Sequence, residues 1–318
     1  MSLHKLSAGD GYTYLTRQVA VQDSTERGLS GLGEYYSEKG EAPGVWLGRG
    51  VAGLAEFESS LPVGERQMVA LFGEGRHPDA DRIEVQTIAA GGSVRAALFA
   101  SRLGRAFQAE GAPRALQVQL AVRFARANTA AGRPRGAALP DDERALIRTQ
   151  VATEMFAGEY GRAPADAREL SGFLARASRP AVRAVAGYDL AFTPVKSVSA
   201  LWAVADPATA EVIERAHTEV VAETLGWLED HASFTRLGAG GVRQVEVRGL
   251  IAAAFVHRDS RAGDPNLHTH VAVSNKVQVA SGPAAGRWMA LDGRPLHQFA
   301  VAASERYATR LEAMLRER

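Results

Sequence analysis

HRDSRAGDPNLHTH, residues 257–270, holds three of the eight histidines of a 318-residue chain within fourteen positions. His268 and His270 stand two apart. A β-strand repeats its side-chain direction every second residue, so on a strand over 268–277 both imidazoles leave one face while Thr269, Val271 and Val273 point the other way. His257 closes an apolar run, LIAAAFV (250–256), that reads as a preceding strand. The GDPN at 263–266 is a turn signal, so the second strand returns beside the first and the third imidazole joins the pair. Three neutral imidazoles leave a divalent cation its charge and open coordination positions, which suits a working ion better than a structural one. His257, His268 and His270 are therefore the expected metal ligands. The bland alternative, a solvated hairpin that happens to carry histidines, is the better reading of the His268–Thr269–His270 triplet alone; a third histidine placed by the hairpin shifts the balance to a metal site.

Outward from the hairpin, short strands are expected over 277–280 and near 288–292. A terminal helix over 296–318 ends in LRER without a stop signal, as a piece of a longer chain would. Upstream, AGYDLAFTPVKSVSALWAV reads as a strand over 188–192 and, after Pro194, a helix from Lys196 through Trp202. A long amphipathic helix over 208–230 places Ile213, Ala216, Val220 and Leu225 on its buried side. Short strands over 233–237 and 244–248 flank the flexible GAGG at 238–241.

From 82 to 180 the periodicity is helical, and the segment reads as an inserted, mainly helical subdomain of a single 1–318 domain. Residues 95–183 carry fifteen Arg, no Lys and eight acids, an excess of +7 on a chain whose net charge is +1. Such a block is compatible with a polyanionic partner and equally with a solvated helical surface. Near the N-terminus, Asp10 is placed to cap a helix over 11–20. A polar linker with several glycines follows, then Tyr35 and Tyr36, and then GVWLGRG (44–50) as a turn and short strand. Four of the seven tyrosines, Tyr12, Tyr14, Tyr35 and Tyr36, lie in the first 36 residues. Core tyrosines usually scatter over many elements, and tyrosine is one of the side chains able to form a covalent enzyme intermediate. With 46% hydrophobic and 23% charged residues the chain has the make-up of a soluble globular enzyme. No cysteine is present, so disulfides and thiolate ligands are excluded. No secretory signal or membrane-spanning run is evident, and a cytoplasmic location is expected.

Four stretches together resemble the relaxase domain of conjugative relaxases of the TrwC/TraI type, the MOB-F class of HUH endonucleases. They are the SAG start with its tyrosines (7–14), YY…W.G.G (35–50), GYDLAFTPVKSVS (187–199) and H-x10-H-x-H with its LHTH core (257–270). The resemblance covers about 1–80 and 185–318. It implies an α+β fold, a central antiparallel sheet with flanking helices, holding a metal through the three histidines. It also implies site- and strand-specific nicking of single-stranded origin DNA, with accessory relaxosome and coupling proteins as partners, and commonly a helicase beyond residue 318.

Asp189 matches the family's acidic residue that hydrogen-bonds a metal histidine and helps deprotonate the nucleophile. A carboxylate on an imidazole also fixes its tautomer and strengthens it as a ligand. Counted from the SAG start, the family's catalytic tyrosine falls on Tyr14. The family has adjacent tyrosines where this chain reads Tyr12-Thr13-Tyr14, so Tyr12 stays open as well. Tyr35 and Tyr36 match a pair assigned to a later strand transfer or to structure. Mg2+ or Mn2+ is the expected cofactor, with Zn2+ and Ni2+ as alternatives. Lys196, Arg243, Arg248, Arg258 and Arg261 flank the proposed site and are candidate phosphate contacts. A metal-dependent phosphoesterase using water as nucleophile, a cupin-like oxygenase and a DNA-binding module without metal are the competing readings.

Overall fold

A computed structural model of the chain describes residues 1–9, 11–13, 15, 43–107, 115–177, 184–260 and 262–318. The strands run β1 (Ser2–Ser7), β2 (Val45–Leu47), β3 (Val185–Phe192), β4 (Phe234–Leu237), β5 (Arg243–Glu246), β6 (Ala252–Asp259), β7 (Pro265–Ser274), β8 (Lys276–Gln278) and β9 (Trp288–Ala290). The α-helices run α1 (Glu65–Met68), α2 (Ala80–Ala89), α3 (Val94–Ala100), α4 (Ala115–Ala130), α5 (Asp141–Tyr160), α6 (Ala167–Ala177), α7 (Lys196–Val204), α8 (Pro207–Ala232) and α9 (Gly293–Glu317). Most of the helix expected over 11–20 lies outside the described residues. Two compact units result, residues 1–109 with 184–318, and residues 110–183.

The first unit is built on a five-stranded sheet of order β1-β3-β7-β6-β2, with every neighbouring pair antiparallel. Alternation along the central strands sorts their side chains into two cores. Leu190 and Phe192 of β3, Val271 and Val273 of β7, and Ala252 and Ala254 of β6 pack with α8 and α9. The intervening Ala272, Ala253 and Phe255 pack with Leu6, Trp46, Leu54, Met68 and Phe72 on the opposite face. Each large apolar side chain buried this way contributes about 1.5–3 kcal/mol. Helix α8 starts where Asp206 accepts from the amides of Ala208 (3.0 Å) and Thr209 (3.1 Å), with Pro207 at its first position. Its buried stripe includes Ile213, Ala216, Val220 and Leu225, as the periodicity requires.

The W.G.G stretch has a backbone explanation. Gly48 adopts φ +91°, and a Cβ there would sit 2.2 Å from the Leu250 carbonyl oxygen, so only glycine lets this loop lie against the chain entering β6. The buried Glu229 carboxylate of α8 locks the junction, accepting from the amides of Arg49 and Leu250 at 2.7 Å each and pairing with Arg49 Nε at 3.0 Å.

The helical segment expected to begin at residue 82 divides differently. Helices α2 and α3 belong to the first unit. Ser101 Oγ donates to Glu84 of α2 at 2.6 Å, Arg76 pairs with the same carboxylate, and Leu103 is buried in the core beneath the sheet. The second unit holds α4 to α6 around Ala152, Phe156 and Phe173, with the two phenylalanine rings edge-on at 5.6 Å. Arg123, Arg133, Arg144 and Arg162 are ion-paired within it, to Glu154, Glu143, Asp141 and Glu169. Part of the basic excess read from the sequence is thereby balanced locally. Among the described residues no helix is long and apolar enough to cross a membrane.

Candidate metal centre

β6 and β7 form the expected hairpin, with β7 beginning at Pro265, three residues before the position that strand periodicity suggested. Ser260 builds the turn: its Oγ accepts from the amides of Ala262 and Asp264 at 3.2 Å, and Gly263 turns through φ +81°. In the resulting register His257 lies directly opposite His268, while Ala191 of β3 lies opposite His270. The three imidazole centroids are 5.4 Å (His257–His268), 5.5 Å (His257–His270) and 5.2 Å (His268–His270) apart.

Hydrogen bonds fix the chemistry of two rings. His270 Nδ1 lies 2.9 and 3.0 Å from the two oxygens of Asp189, whose residue is 1% exposed. His268 Nδ1 lies 2.7 Å from the Asn266 carbonyl oxygen. Carboxylate and carbonyl oxygens only accept, so in both neutral rings Nδ1 carries the proton and Nε2 the lone pair, the form that ligates a metal. Among the described residues no group of three or more His, Asp or Glu side chains stands ready to hold a metal ion. What the strands supply is a set of ligands gathered on one face. The set fits a cation by chemistry, imidazole nitrogen being a common ligand of divalent ions.

The other expected residues fall in different places. Tyr12 is 6% exposed, its ring 6.4 Å from that of Phe72, in the core that covers the histidine-bearing face. Tyr14, Tyr35, Tyr36 and Arg261 lie outside the described residues. Lys196 Nζ donates to the Pro265 carbonyl at 2.9 Å, beside the hairpin. Arg258 extends to Glu214 of α8, with Nε at 3.2 Å and Nη2 at 3.0 Å, and Trp202 Nε1 donates to the same carboxylate at 2.9 Å. Arg243 is exposed on the separate β4–β5 ribbon, and Arg248 is exposed beyond it.

One buried group on the other face of β7 escaped the sequence reading. His217 falls on the apolar stripe of α8, where a histidine at a core position was itself a signal. Its Nδ1 lies 2.8 Å from Tyr307 Oη and its Nε2 2.7 Å from Thr269 Oγ1. Burial first, and the neighbouring His268 second, lower its pKa from 6.5 to about 4. Between those values the unfolded chain binds a proton that the folded chain does not, so stability is lost as pH falls from 6.5 to about 4 and no more is lost below that. The expected contribution is about 3 kcal/mol. Urea unfolding at a series of pH values should show this slope in the parent and a flatter one in His217→Gln.

An antiparallel sheet that gathers three imidazoles on one face, one of them backed by a buried carboxylate, defines an α+β protein with a histidine metal centre as its candidate site. The chain belongs to the TrwC relaxase family, whose model matches residues 8–318. The multifunctional conjugation protein TraI of Escherichia coli is 39% identical over 92 residues, 29% of this chain and 5% of TraI. A metal-free structure of the conjugative relaxase TrwC with oriT DNA is 27% identical with a TM-score of 0.38, covering 51% of this chain and 59% of that one. A metal-bound TrwC–oriT structure is 25% identical at the same TM-score, with 51% and 58% covered. Another TrwC–oriT complex is 20% identical with a TM-score of 0.45 over 99% of this chain and 70% of that one. The chain thus spans a small fraction of the curated relative and about three fifths of the first of these structures.

Proposed function

We propose that this chain nicks single-stranded DNA at a plasmid transfer origin by tyrosine attack, forming a 5′-phosphotyrosyl intermediate that is later rejoined or transferred. The observation that carries the reading is the convergence of His257, His268, His270 and the Asp189 carboxylate on one sheet face of a chain in the TrwC relaxase family. His257, His268 and His270 would hold a divalent cation. Such an ion, when bound, neutralises the non-bridging oxygens of the scissile phosphate and the charge that grows on them. An all-imidazole set favours Zn2+ or Ni2+ over Mg2+, with Mn2+ between them.

Tyr14 is the nucleophile in this reading. Its oxygen bonds to phosphorus, the bond from phosphorus to the 3′ oxygen breaks, and the leaving strand end takes up a proton as a 3′-hydroxyl. A phenol titrates near ~10 and must lose its proton as it attacks. Asp189 has both oxygens on His270, which favours an orienting role for it over that of the base. Lys196, bonded to the Pro265 carbonyl, and Arg258, paired with Glu214, are candidate contacts for DNA phosphates in this reading. DNA of this kind puts the work of the domain in the cytoplasm, alongside relaxosome and coupling proteins.

The test is incubation with a panel of single-stranded origin oligonucleotides and Mg2+, Mn2+ or Zn2+, followed by a denaturing gel. A shifted band that survives denaturation is the expected result. Cleavage to a 5′-phosphate with no adduct would overturn tyrosine attack in favour of hydrolysis by water.

A further inference from the structure

The reverse side of β7 carries a polar chain that the nicking reaction does not use directly. Thr269 lies between His268 and His270 and, by strand alternation, points away from both, into the core formed with α8 and α9. There Thr269 Oγ1, His217 and Tyr307 Oη form an unbroken run of two hydrogen bonds, 2.7 and 2.8 Å long. All three residues are 2% exposed or less. Phe192, which faces Thr269 across the β3–β7 ladder, closes the chamber with its ring 5.2 Å from that of Tyr307. Valine, leucine and phenylalanine would fill the same volume without any polar group to satisfy. What hydrogen bonds add is direction: a buried polar run that is fully matched admits one arrangement, whereas apolar packing tolerates several.

We propose that Tyr307, His217 and Thr269 are positioning residues for the metal centre, fixing the rotation of β7 about its own axis and with it the aim of His268 and His270. The coupling is geometric. Successive side chains on a strand leave in opposite directions, so a twist that draws Thr269 away from His217 swings both flanking imidazoles through the same angle. His257 belongs to β6 and does not follow, so the three ligands lose their common focus. Tyr307 steadies the far nitrogen of His217 from α9. This places an imidazole on one helix, and a hydroxyl on another, in control of ligand geometry on the opposite face of the sheet.

The inference rests on the three histidines binding metal, and the experiment separates the two. Zn2+ affinity is measured by competition with a chromophoric chelator for the full chain and for Thr269→Val, Thr269→Ser, Tyr307→Phe and His268→Ala, each checked for folding by circular dichroism. Thr269→Val keeps shape and loses the hydroxyl; it should weaken Zn2+ binding about tenfold, the low end of what losing a direct partner of a ligand costs, because Thr269 acts through the strand. Thr269→Ser keeps the hydroxyl and should restore binding to within about twofold, a rescue that packing alone would not give because serine lacks the methyl group. Tyr307→Phe should weaken binding in the same direction, and combining it with Thr269→Val should add less than the sum, since both cut one chain. If Thr269→Val does not fold, Tyr307→Phe decides. Parent-like Zn2+ affinity in Thr269→Val and Tyr307→Phe, with binding lost in His268→Ala, overturns the positioning role and leaves the metal centre standing. Parent-like affinity in His268→Ala removes both.

Discussion

In Tyr14→Phe the covalent protein–DNA band disappears, with capture slowed by roughly a thousandfold or more, while Tyr12→Phe retains it. Removing the atom that forms the covalent bond leaves only binding and electrostatic assistance, so a large loss is the rule for a true nucleophile. Tyr12 is expected to behave otherwise because its ring is already used. It is buried against Phe72 in the core that also takes in Phe255 and Ala272, and to reach a phosphate it would have to abandon that packing. Phenylalanine preserves the ring, so Tyr12→Phe should cost at most about 1–2 kcal/mol of stability and little activity. In the proposed reading Tyr12 keeps its place in the core and Tyr14 attacks. Time courses of adduct formation on denaturing gels, with Tyr35→Phe and Tyr36→Phe alongside, make the comparison. Capture that survives in Tyr14→Phe and vanishes in Tyr12→Phe would reverse the assignment.

The histidine-bearing hairpin was legible in the sequence because its determinants are local. Two-residue spacing in His268–Thr269–His270, an apolar run before His257 and a turn between them suffice to define a hairpin, and α8 announces itself through Asp206-Pro207 and a regular apolar stripe. β1 was not legible. Its sequence SLHKLS lacks alternation, it is an edge strand, and the partner that makes it a strand lies about 180 positions away, with Lys5 opposite Tyr188. Non-local pairing leaves no periodic trace. The start of the second unit was misjudged for a related reason. Helices α2 and α3 resemble α4 to α6 in composition, and what assigns them to the sheet is Glu84 meeting Ser101 and Arg76, together with the burial of Leu103. The Tyr307–His217–Thr269 run likewise joins residues 90 and 52 positions apart, with only a histidine on a core stripe to hint at it.

Asp189→Asn should lower metal affinity by about 10–100-fold, and excess metal should then restore most of the rate of DNA capture. The carboxylate is buried and directs both oxygens at His270 Nδ1. It therefore keeps the proton on Nδ1, leaves the lone pair on Nε2 and makes that nitrogen more basic. Asparagine has the same shape without the charge. Turned one way, its carbonyl still accepts from Nδ1 but no longer strengthens the ligand; turned the other, its amide donates to Nδ1 and drives the ring proton onto Nε2, the nitrogen the ion needs. Either outcome weakens binding without moving the other two imidazoles. The recovery at high metal concentration is the informative part. A residue whose task is to orient a ligand is compensated by mass action once the site is filled. A residue whose task is to take the proton of the attacking phenol is not, because a saturated Asp189→Asn centre would still lack the base. Titrating Zn2+ or Mn2+ into single-turnover capture assays of the parent and of Asp189→Asn thus separates the two roles that the family resemblance assigns to one carboxylate. A rate that stays depressed at saturating metal would make Asp189 the base, and the burial of its oxygens against His270 would then have to be relieved when DNA binds.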